Sequence, residues 1–487
     1  MSSPGVRPGI ARATVLGFAA EALVFPAGLI TAAYLTRTLG AVRYGQLSLV
    51  YAAVAPVVWI ASTTFAGRVG VKLISDAEDW RGMGAALLRA NALLGLGVML
   101  LFASAAPLLG SVLKQPSLTP YLWLAAIEIA LMPVTRIHRD ALMARGKYTS
   151  PALATLAYQA TRLVLILVLV AAGWSVLGVI VANLAARLFE LAVCRRQQPV
   201  PLRGGVPGGL GRLRELLGSL FLYTLCLQLF NRVDLLMIGF LGAAAETIGR
   251  YGAAQNLAQA PGLFALVFTP LLIAAIRRAE IAGAAREAEE LRLGSARVAM
   301  GLWALAAPVA AGAPRLVILL FGPSFAGSGP ILAWLGIGGG AALVLSVLSA
   351  HEVAAGRYRR PLFAAVPMLV TALVLQTLLI PKYGGLGAAW AMAAGAVLAA
   401  LIAQSFEGVR MLPSRGLDLL RALGGGTAGF LGTRLAAMAD IPSPLDVLVG
   451  CLATGMTLLA LRLVSTRQVR RFVADLVGRS SLDLEAV

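Results

Sequence analysis

The chain has 487 residues, of which 59% are hydrophobic and only 13% charged, and its mean hydropathy is +0.84. A soluble domain is typically about 45–50% apolar and about 25% charged, so the composition excludes an ordinary soluble protein. In a soluble chain the net charge of +19 would suggest a nucleic-acid partner. Here the basic residues are concentrated in connections between apolar segments, so we expect no nucleic acid and predict an all-α polytopic membrane protein.

The apolar residues form segments of about the length that a helix needs to cross a bilayer, roughly 20 residues. No small-residue cleavage site follows the first segment, so we expect a retained helix and not a signal peptide. The termini, the connections after even-numbered segments and the segment ends beside them hold 31 of the 41 Lys and Arg residues, which predicts that both termini are cytoplasmic. The fourteen segments are 15–36, 44–66, 88–112, 119–141, 148–172, 175–194, 214–241, 251–276, 297–320, 328–350, 361–381, 384–405, 418–438 and 445–464.

Short motifs recur between the two halves of the chain at nearly one offset. An LG…YG motif, an ARGKY/AGRY motif and an LG pair each occur twice, separated by 207, 210 and 209 residues. Three matches at nearly the same offset indicate an internal repeat. The paired positions are Tyr44 and Tyr251, Tyr148 and Tyr358, and Gly178 and Gly387.

The repeat predicts two six-helix lobes around a central cavity. Each lobe has an even number of helices, so the two share one orientation and are related by an axis along the membrane normal. We also interpret the charged stretch 277–297 as an amphipathic helix on the membrane surface. The predicted organisation is an N-terminal lobe at 1–194, a cytoplasmic Gly/Pro-rich linker at 195–213, a C-terminal lobe at 214–406, two further membrane helices at 407–464 and a cytoplasmic tail at 465–487.

Charged residues inside the seventh segment are the first candidates for a function. A charge near the bilayer centre costs about 2.5–3.5 kcal/mol, so Arg232 and Asp234 should face a watery cavity or a partner helix. Arg232 is a candidate anion contact because a guanidinium fork matches phosphate oxygens, and Gln228 lies one turn before it, with Asn231 beside it. Asp234 should point elsewhere and pair with another helix or bind a coupling ion. A purely structural pair of charges is the alternative.

Other polar side chains within or at the ends of the segments complete the candidate site. Arg162 is a second candidate anion contact, and Glu21 could pair with an arginine or take up a proton or Na⁺. Arg187 and Glu190, three residues apart, are expected to pair locally. Four further residues are candidate contacts for a polar ligand, or could instead serve helix packing or solvated surface: Arg37, Arg250, Gln255 and Asn256.

Enzymatic and cofactor motifs are missing from the sequence. There is no Walker A motif, no HExxH and no CxxC, and the three cysteines have neither metal nor redox spacing. The connections predicted to be non-cytoplasmic are short, whereas a membrane glycosyltransferase or ligase normally carries a large outer loop. We therefore predict no enzyme, no metal and no cofactor.

Several motifs together resemble a known family. They are the LG…YG hairpin after the first segment, RVDLLMIGFLG…GRYGAAQNLAQAP, FGPSFAGSGPILAWLG and IPKYGGLGAAWAMA. In this order, from about residue 12 to 464, they resemble the polysaccharide transporter (oligosaccharide flippase) family of the MATE-like flippase superfamily.

The resemblance implies a bacterial cytoplasmic-membrane carrier for an undecaprenyl-pyrophosphate-linked oligosaccharide. Membrane lipids and polysaccharide-assembly proteins would be its further partners. It would move this substrate to the outer leaflet by alternating access, for surface polysaccharides such as O-antigen. The sequence leaves open two other functions of the superfamily, cation-coupled export of small amphiphiles and flipping of a lipid II-type precursor. A membrane-embedded enzyme acting on the same lipid is a third class.

Overall fold

The computed structural model describes residues 8–63, 68–202, 218–406 and 415–463, and every long regular element in these ranges is a helix. Short 3-10 turns lie at Pro116–Leu118 and Pro323–Ser328. The helices, numbered here in chain order, are α1 Pro8–Thr63, α2 Arg68–Asp76, α3 Trp80–Val112, α4 Thr119–Ala144, α5 Thr149–Ala171, α6 Ser175–Gln197, α7 Ser219–Phe240, α8 Ala245–Ala258, α9 Ala260–Ile281, α10 Ala285–Ala304, α11 Ala306–Phe321, α12 Gly329–Ala354, α13 Arg360–Gln404, α14 Arg415–Met438 and α15 Leu445–Ala460.

Glycines with non-helical backbone angles break the two longest helices. Gly40 in α1 has φ 73° and ψ 173°, and Gly384 in α13 has φ 55° and ψ −134°. A side chain at such a positive φ would be strained, whereas glycine adopts it readily. Each break lies between two segments that the sequence predicts as separate spans, so a break in a helix takes the place of a loop there.

Ten helical stretches within the described ranges are long and apolar enough to cross a membrane. The stretches Leu23–Thr63 and Arg360–Gln404, at 41 and 45 residues, are each about twice the length that one crossing needs. Large aliphatic side chains are exposed on these helices, for example Leu93 and Leu101 on α3, which are 70% and 71% exposed. Such faces are stable in lipid. The chain is a multi-pass, all-α membrane protein, and the number of fourteen spans stays a prediction.

The chain divides into two compact units. The first comprises Met1–Phe221 and Asn231–Gly249, and the second comprises Leu222–Phe230 and Arg250–Val487. Helix α7 therefore contributes to both. The predicted domain boundaries remain a prediction, because residues 203–217 and 407–414 and the tail after 463 lie outside the described residues.

In the first unit, α4 lies against α1, α3 and α6, and α5 lies against α1 and α6. Small residues allow close approach at one crossing. A methyl group at Gly45 would overlap the carbonyl oxygen of Ala245, and one at Gly249 would overlap that of Ala41. The reciprocal glycines therefore bring the backbone of α1 directly against the Ala245–Gly249 part of α8.

In the second unit, α12 lies at the centre and packs against α9, α10, α11 and α13. Helices α14 and α15 pack on each other, and α14 also packs on α10 and α11. Ion pairs lie at the helix ends: Glu352 accepts from Arg360 at 3.1 Å, and Arg315 lies 3.6 Å from Asp446.

The prediction that 277–297 form one amphipathic helix is wrong, and the position of these residues at the membrane surface stays a prediction. These residues form the end of α9 and the beginning of α10, and the two helices meet at a turn in which Gly283 has φ 74°. One helix on the membrane surface and the adjoining ends of two spanning helices give the same charged amphipathic pattern. Both arrangements place their charged side chains in water and among head groups.

Candidate functional site

Polar side chains from four helices of the first unit meet among apolar neighbours. Helices α1, α4, α5 and α6 each contribute at least one of them. The group comprises Tyr51, Glu128, Arg139, Tyr158, Arg162, Asn183, Arg187 and Glu190, called the polar network below. Because helices that span a membrane bury so few charged groups, this network is the strongest candidate for a functional site in the first unit.

Four members of the network form a chain of alternating charge. Glu190 lies between Arg139, at 3.0 Å, and Arg187, which donates to its other carboxylate oxygen. Arg187 also lies 3.3 Å from Glu128 and places its guanidinium carbon 4.1 Å from the centre of the Tyr158 ring. The pairing of Arg187 with Glu190 expected from their spacing is present. With two positive and two negative side chains, this chain of ion pairs compensates its own charge.

Arg162 lies next to these ion pairs but outside them. Its Nε donates to the Oδ1 atom of Asn183 at 2.7 Å, and the Nδ2 atom of Asn183 in turn donates to the hydroxyl oxygen of Tyr51. Within the described part of the chain, neither Glu128 nor Glu190 forms an ion pair with Arg162. The half-buried Arg162 therefore carries a positive charge held by neutral hydrogen-bond partners.

Arg232 and Asp234 lie in the part of α7 that belongs to the first unit. Arg232 is half-buried, whereas Asp234 is fully buried and accepts the backbone N–H of Leu235 at 2.8 Å. Asp234 acts electrostatically on Arg232, so the two charges interact although residues two positions apart do not face each other on a helix.

The candidates in the second unit lie in different surroundings. Gln255 is buried in α8, and Gln228 is half-buried in α7. Asn256 is exposed and donates to the Gly252 carbonyl oxygen of its own helix at 2.9 Å. Arg250 donates to the carbonyl oxygen of Ser324 at 3.1 Å and so connects α8 to the 3-10 turn. Arg250 thus has a structural contact that the sequence did not indicate.

Three candidates add little to the geometry of the site. Arg37 on α1 and Asn231 on α7 are exposed. Glu21 lies in α1, but its side chain is outside the described residues. The ion-coupling role of Glu21 therefore stays a prediction.

Five of the eight residues of the polar network have no role in the prediction from sequence. They are the charged residues Glu128 and Arg139, the amide Asn183 and the tyrosines Tyr51 and Tyr158. A polar residue in an apolar run is the signal that could have found Asn183, since it is the one amide between residues 175 and 194. Tyrosine at membrane depth gives no comparable signal, because its ring packs as an ordinary core side chain.

The fold is similar to those of known flippases and transporters. A structure of the lipid II flippase MurJ in an inward closed conformation aligns with a TM-score of 0.67 and 16% identity over 91% of this chain and 98% of that chain. A multidrug resistance MATE family transporter in an inward-facing conformation gives a TM-score of 0.57 and 14% identity over 84% and 96%. A mutant of the Vibrio cholerae MATE transporter VcmN gives 0.51 and 16% over 83% and 98%. The chain therefore shares the fold of these flippase and transporter structures.

The sequence defines the family within this fold. The profile of the family described as polysaccharide biosynthesis protein matches residues 29–326, more than half of the chain. The chain belongs to this family, and the resemblance found from the motifs is confirmed. No curated protein matches the sequence.

Proposed function

We propose that the protein is a flippase for a polyprenyl-pyrophosphate-linked oligosaccharide. It moves this lipid from the cytoplasmic to the outer leaflet of the bacterial inner membrane by alternating access, as a step in surface polysaccharide biosynthesis. The family match over residues 29–326 carries the proposal. A fold shared with proteins described as a lipid II flippase and as MATE transporters supports it.

The chemistry of such a substrate fits the polar network. A pyrophosphate that leaves water for an apolar environment needs a compensating charge, because burial of an unpaired ion is very costly. Arg162 offers a guanidinium whose charge no carboxylate of the described chain neutralises. In this proposal Arg162 contacts the phosphate and Arg232 adds a second cation, both within the first unit. The contacts of Gln228, Gln255 and Asn256 with sugar hydroxyls stay a prediction from the sequence.

The chain moves its substrate without changing it chemically. The family match and the fold shared with proteins described as a lipid II flippase and as MATE transporters support this. Polysaccharide-assembly proteins would supply the lipid-linked sugar at the inner leaflet and consume it at the outer one. Both termini lie in the cytoplasm, since the basic connections follow the positive-inside rule.

Reconstituted protein tests the proposal directly. Liposomes carrying the purified protein and a fluorescent polyprenyl-pyrophosphate disaccharide are treated with a membrane-impermeant quencher, so that inward-facing label is protected until it is flipped. We expect wild-type protein to expose the label and Arg162→Ala to slow this about tenfold or more. Arg434→Ala is the matched control, because Arg434 is an exposed arginine of α14, and it should leave the rate unchanged.

The same vesicles distinguish the runner-up functions. A cation-coupled exporter would move a fluorescent cationic amphiphile in response to an ion gradient and leave the lipid-linked sugar in place. A flippase of the lipid II type would move a peptidoglycan precursor in preference to the disaccharide lipid. Movement of either compound without movement of the oligosaccharide lipid would refute the proposal.

A further inference from the structure

We propose that Asn183 and Tyr51 are positioning residues that hold Arg162 as an uncompensated, forked contact for one phosphate group of the substrate. This inference rests on the proposed function and assigns the chemistry of its anion site. Asn183 and Tyr51 carry no charge, so they can orient Arg162 without neutralising it.

The guanidinium of Arg162 uses only one of its N–H donors within the described chain. Arginine has five N–H donors arranged in a plane. In Arg162 the Nε–H is donated to the Oδ1 atom of Asn183 at 2.7 Å. Within the described chain, no hydrogen bond or ion pair occupies its terminal NH1 and NH2 groups. These two groups form the fork that binds two oxygens of one phosphate.

The two hydrogen-bond partners of Asn183 determine which way its side-chain amide faces. Arginine has no acceptor atom, so only the oxygen of the Asn183 side chain can face its Nε–H. The Nδ2 group of Asn183 must then point the other way, where the hydroxyl oxygen of Tyr51 accepts it. Asn183 is buried, with 4% of its surface exposed, so this pair of bonds fixes the amide and with it the plane of the Arg162 guanidinium.

The carboxylates near Arg162 are paired with other arginines. The carboxylates of Glu128 and Glu190 are taken up by Arg187 and Arg139. Those four side chains carry no net charge together, and Asn183 and Tyr51 are neutral. One positive charge is therefore left in the polar network, at Arg162. This charge suits a single phosphate group and gives no attraction to a cationic amphiphile.

An aspartate at position 183 would keep the geometry and remove the charge. One of its oxygens could accept the Nε–H of Arg162, and the other could accept the hydroxyl proton of Tyr51. Arg162 would then form an ion pair with the new aspartate, and this carboxylate would compete with the phosphate for the guanidinium. Asn183→Asp is therefore expected to fold at least as stably as the wild type but to bind phosphate less tightly.

The experiment measures binding and transport separately on the full-length protein. Binding of farnesyl diphosphate to purified protein is measured by calorimetry, with farnesol as the uncharged probe, and flipping is measured in the vesicles described above. For Asn183→Asp we expect about tenfold weaker binding of farnesyl diphosphate, unchanged binding of farnesol and a thermal midpoint no lower than that of the wild type. Tyr51→Phe should weaken diphosphate binding severalfold, because the amide loses the acceptor that orients it.

The outcomes separate the inference from the proposed function. Wild-type flipping together with unchanged diphosphate binding by Asn183→Asp would overturn the inference and leave the function standing. Diphosphate binding that depends on Asn183, without any flipping of the disaccharide lipid, would support the anion site and count against the function. If Asn183→Asp does not fold, Arg162→Lys and Arg162→Gln decide. Partial binding by the lysine and its loss in the glutamine variant support the inference, whereas wild-type affinity in Arg162→Gln overturns it.

Discussion

Glu190 gives the sharpest test of the energetics of the polar network, through the substitution Glu190→Gln. Its side chain is 1% exposed, and each carboxylate oxygen has its own arginine, Arg139 at 3.0 Å and Arg187. Glutamine has nearly the same shape and keeps one acceptor oxygen. The substitution therefore removes the negative charge and one acceptor and leaves the packing almost unchanged.

The expected cost follows from the partners that remain. Removing one partner of a buried ion pair typically costs about 3–5 kcal/mol, because the other charge stays buried without compensation. Arg187 keeps Glu128 at 3.3 Å and the Tyr158 ring at 4.1 Å, and Arg139 is partly exposed. These contacts place the cost near the lower end of that range, so we expect a loss of about 3 kcal/mol in the free energy of unfolding.

Reversible unfolding in mixed detergent micelles measures this loss. The matched control is Glu290→Gln, since Glu290 lies 3.3 Å from Arg286 but is 60% exposed; an exposed pair contributes about 0–1 kcal/mol. If Glu190→Gln costs no more than Glu290→Gln, the assignment of a buried ion-pair network is refuted.

Three further predictions concern other parts of the molecule. Gly249→Ala places a methyl group on the Ala41 carbonyl and should destabilise the protein by about 1–3 kcal/mol. Gly262→Ala is the control and should not destabilise it, because nothing lies within 4 Å of the added carbon. Equal thermal midpoints of the two variants would contradict the close crossing of α1 and α8. Glu352→Gln removes the buried negative charge beside Arg360 and should cost about 1–2 kcal/mol in the same unfolding assay, less than Glu190→Gln because this arginine is partly exposed. A fluorescent protein fused to the C-terminus should fluoresce and an alkaline phosphatase fusion should be inactive, as a cytoplasmic terminus requires; the reverse pattern would contradict the orientation.

The sequence predicted those structural features that are set by residues close together along the chain. Apolar segments and their alternating charge identified an all-α membrane protein, and the spacing of Arg187 and Glu190 on one helix predicted their pair. The contact between Asn183 and Tyr51 joins residues 132 positions apart, and no local pattern carries such a separation. Arg162 was singled out by its charge, but its freedom from carboxylates follows from the ion pairs of its neighbours, which only the packed helices show.

The breaks at Gly40 and Gly384 show a different limit of sequence reasoning. Sequence segmentation places a connection wherever apolar periodicity is interrupted, and it treats helix ends and helix breaks alike. The turn at Gly283 caused the opposite error, because the charged residues on both sides of it were joined into one predicted helix. In each case a single glycine with positive φ decides the local path of the chain.

The crossing of Ala41 and Gly45 with Ala245 and Gly249 has a consequence for motion. Lipid tails are as apolar as the helices, so no hydrophobic force holds this contact together, and dispersion between closely fitted backbones must do so. Dispersion falls by a quarter to a half when a gap of only about 0.5–1 Å opens. A separation of about 0.5–1 Å at this crossing would therefore cost a quarter to a half of its dispersion energy, so even a small movement of one helix away from the other weakens the contact markedly.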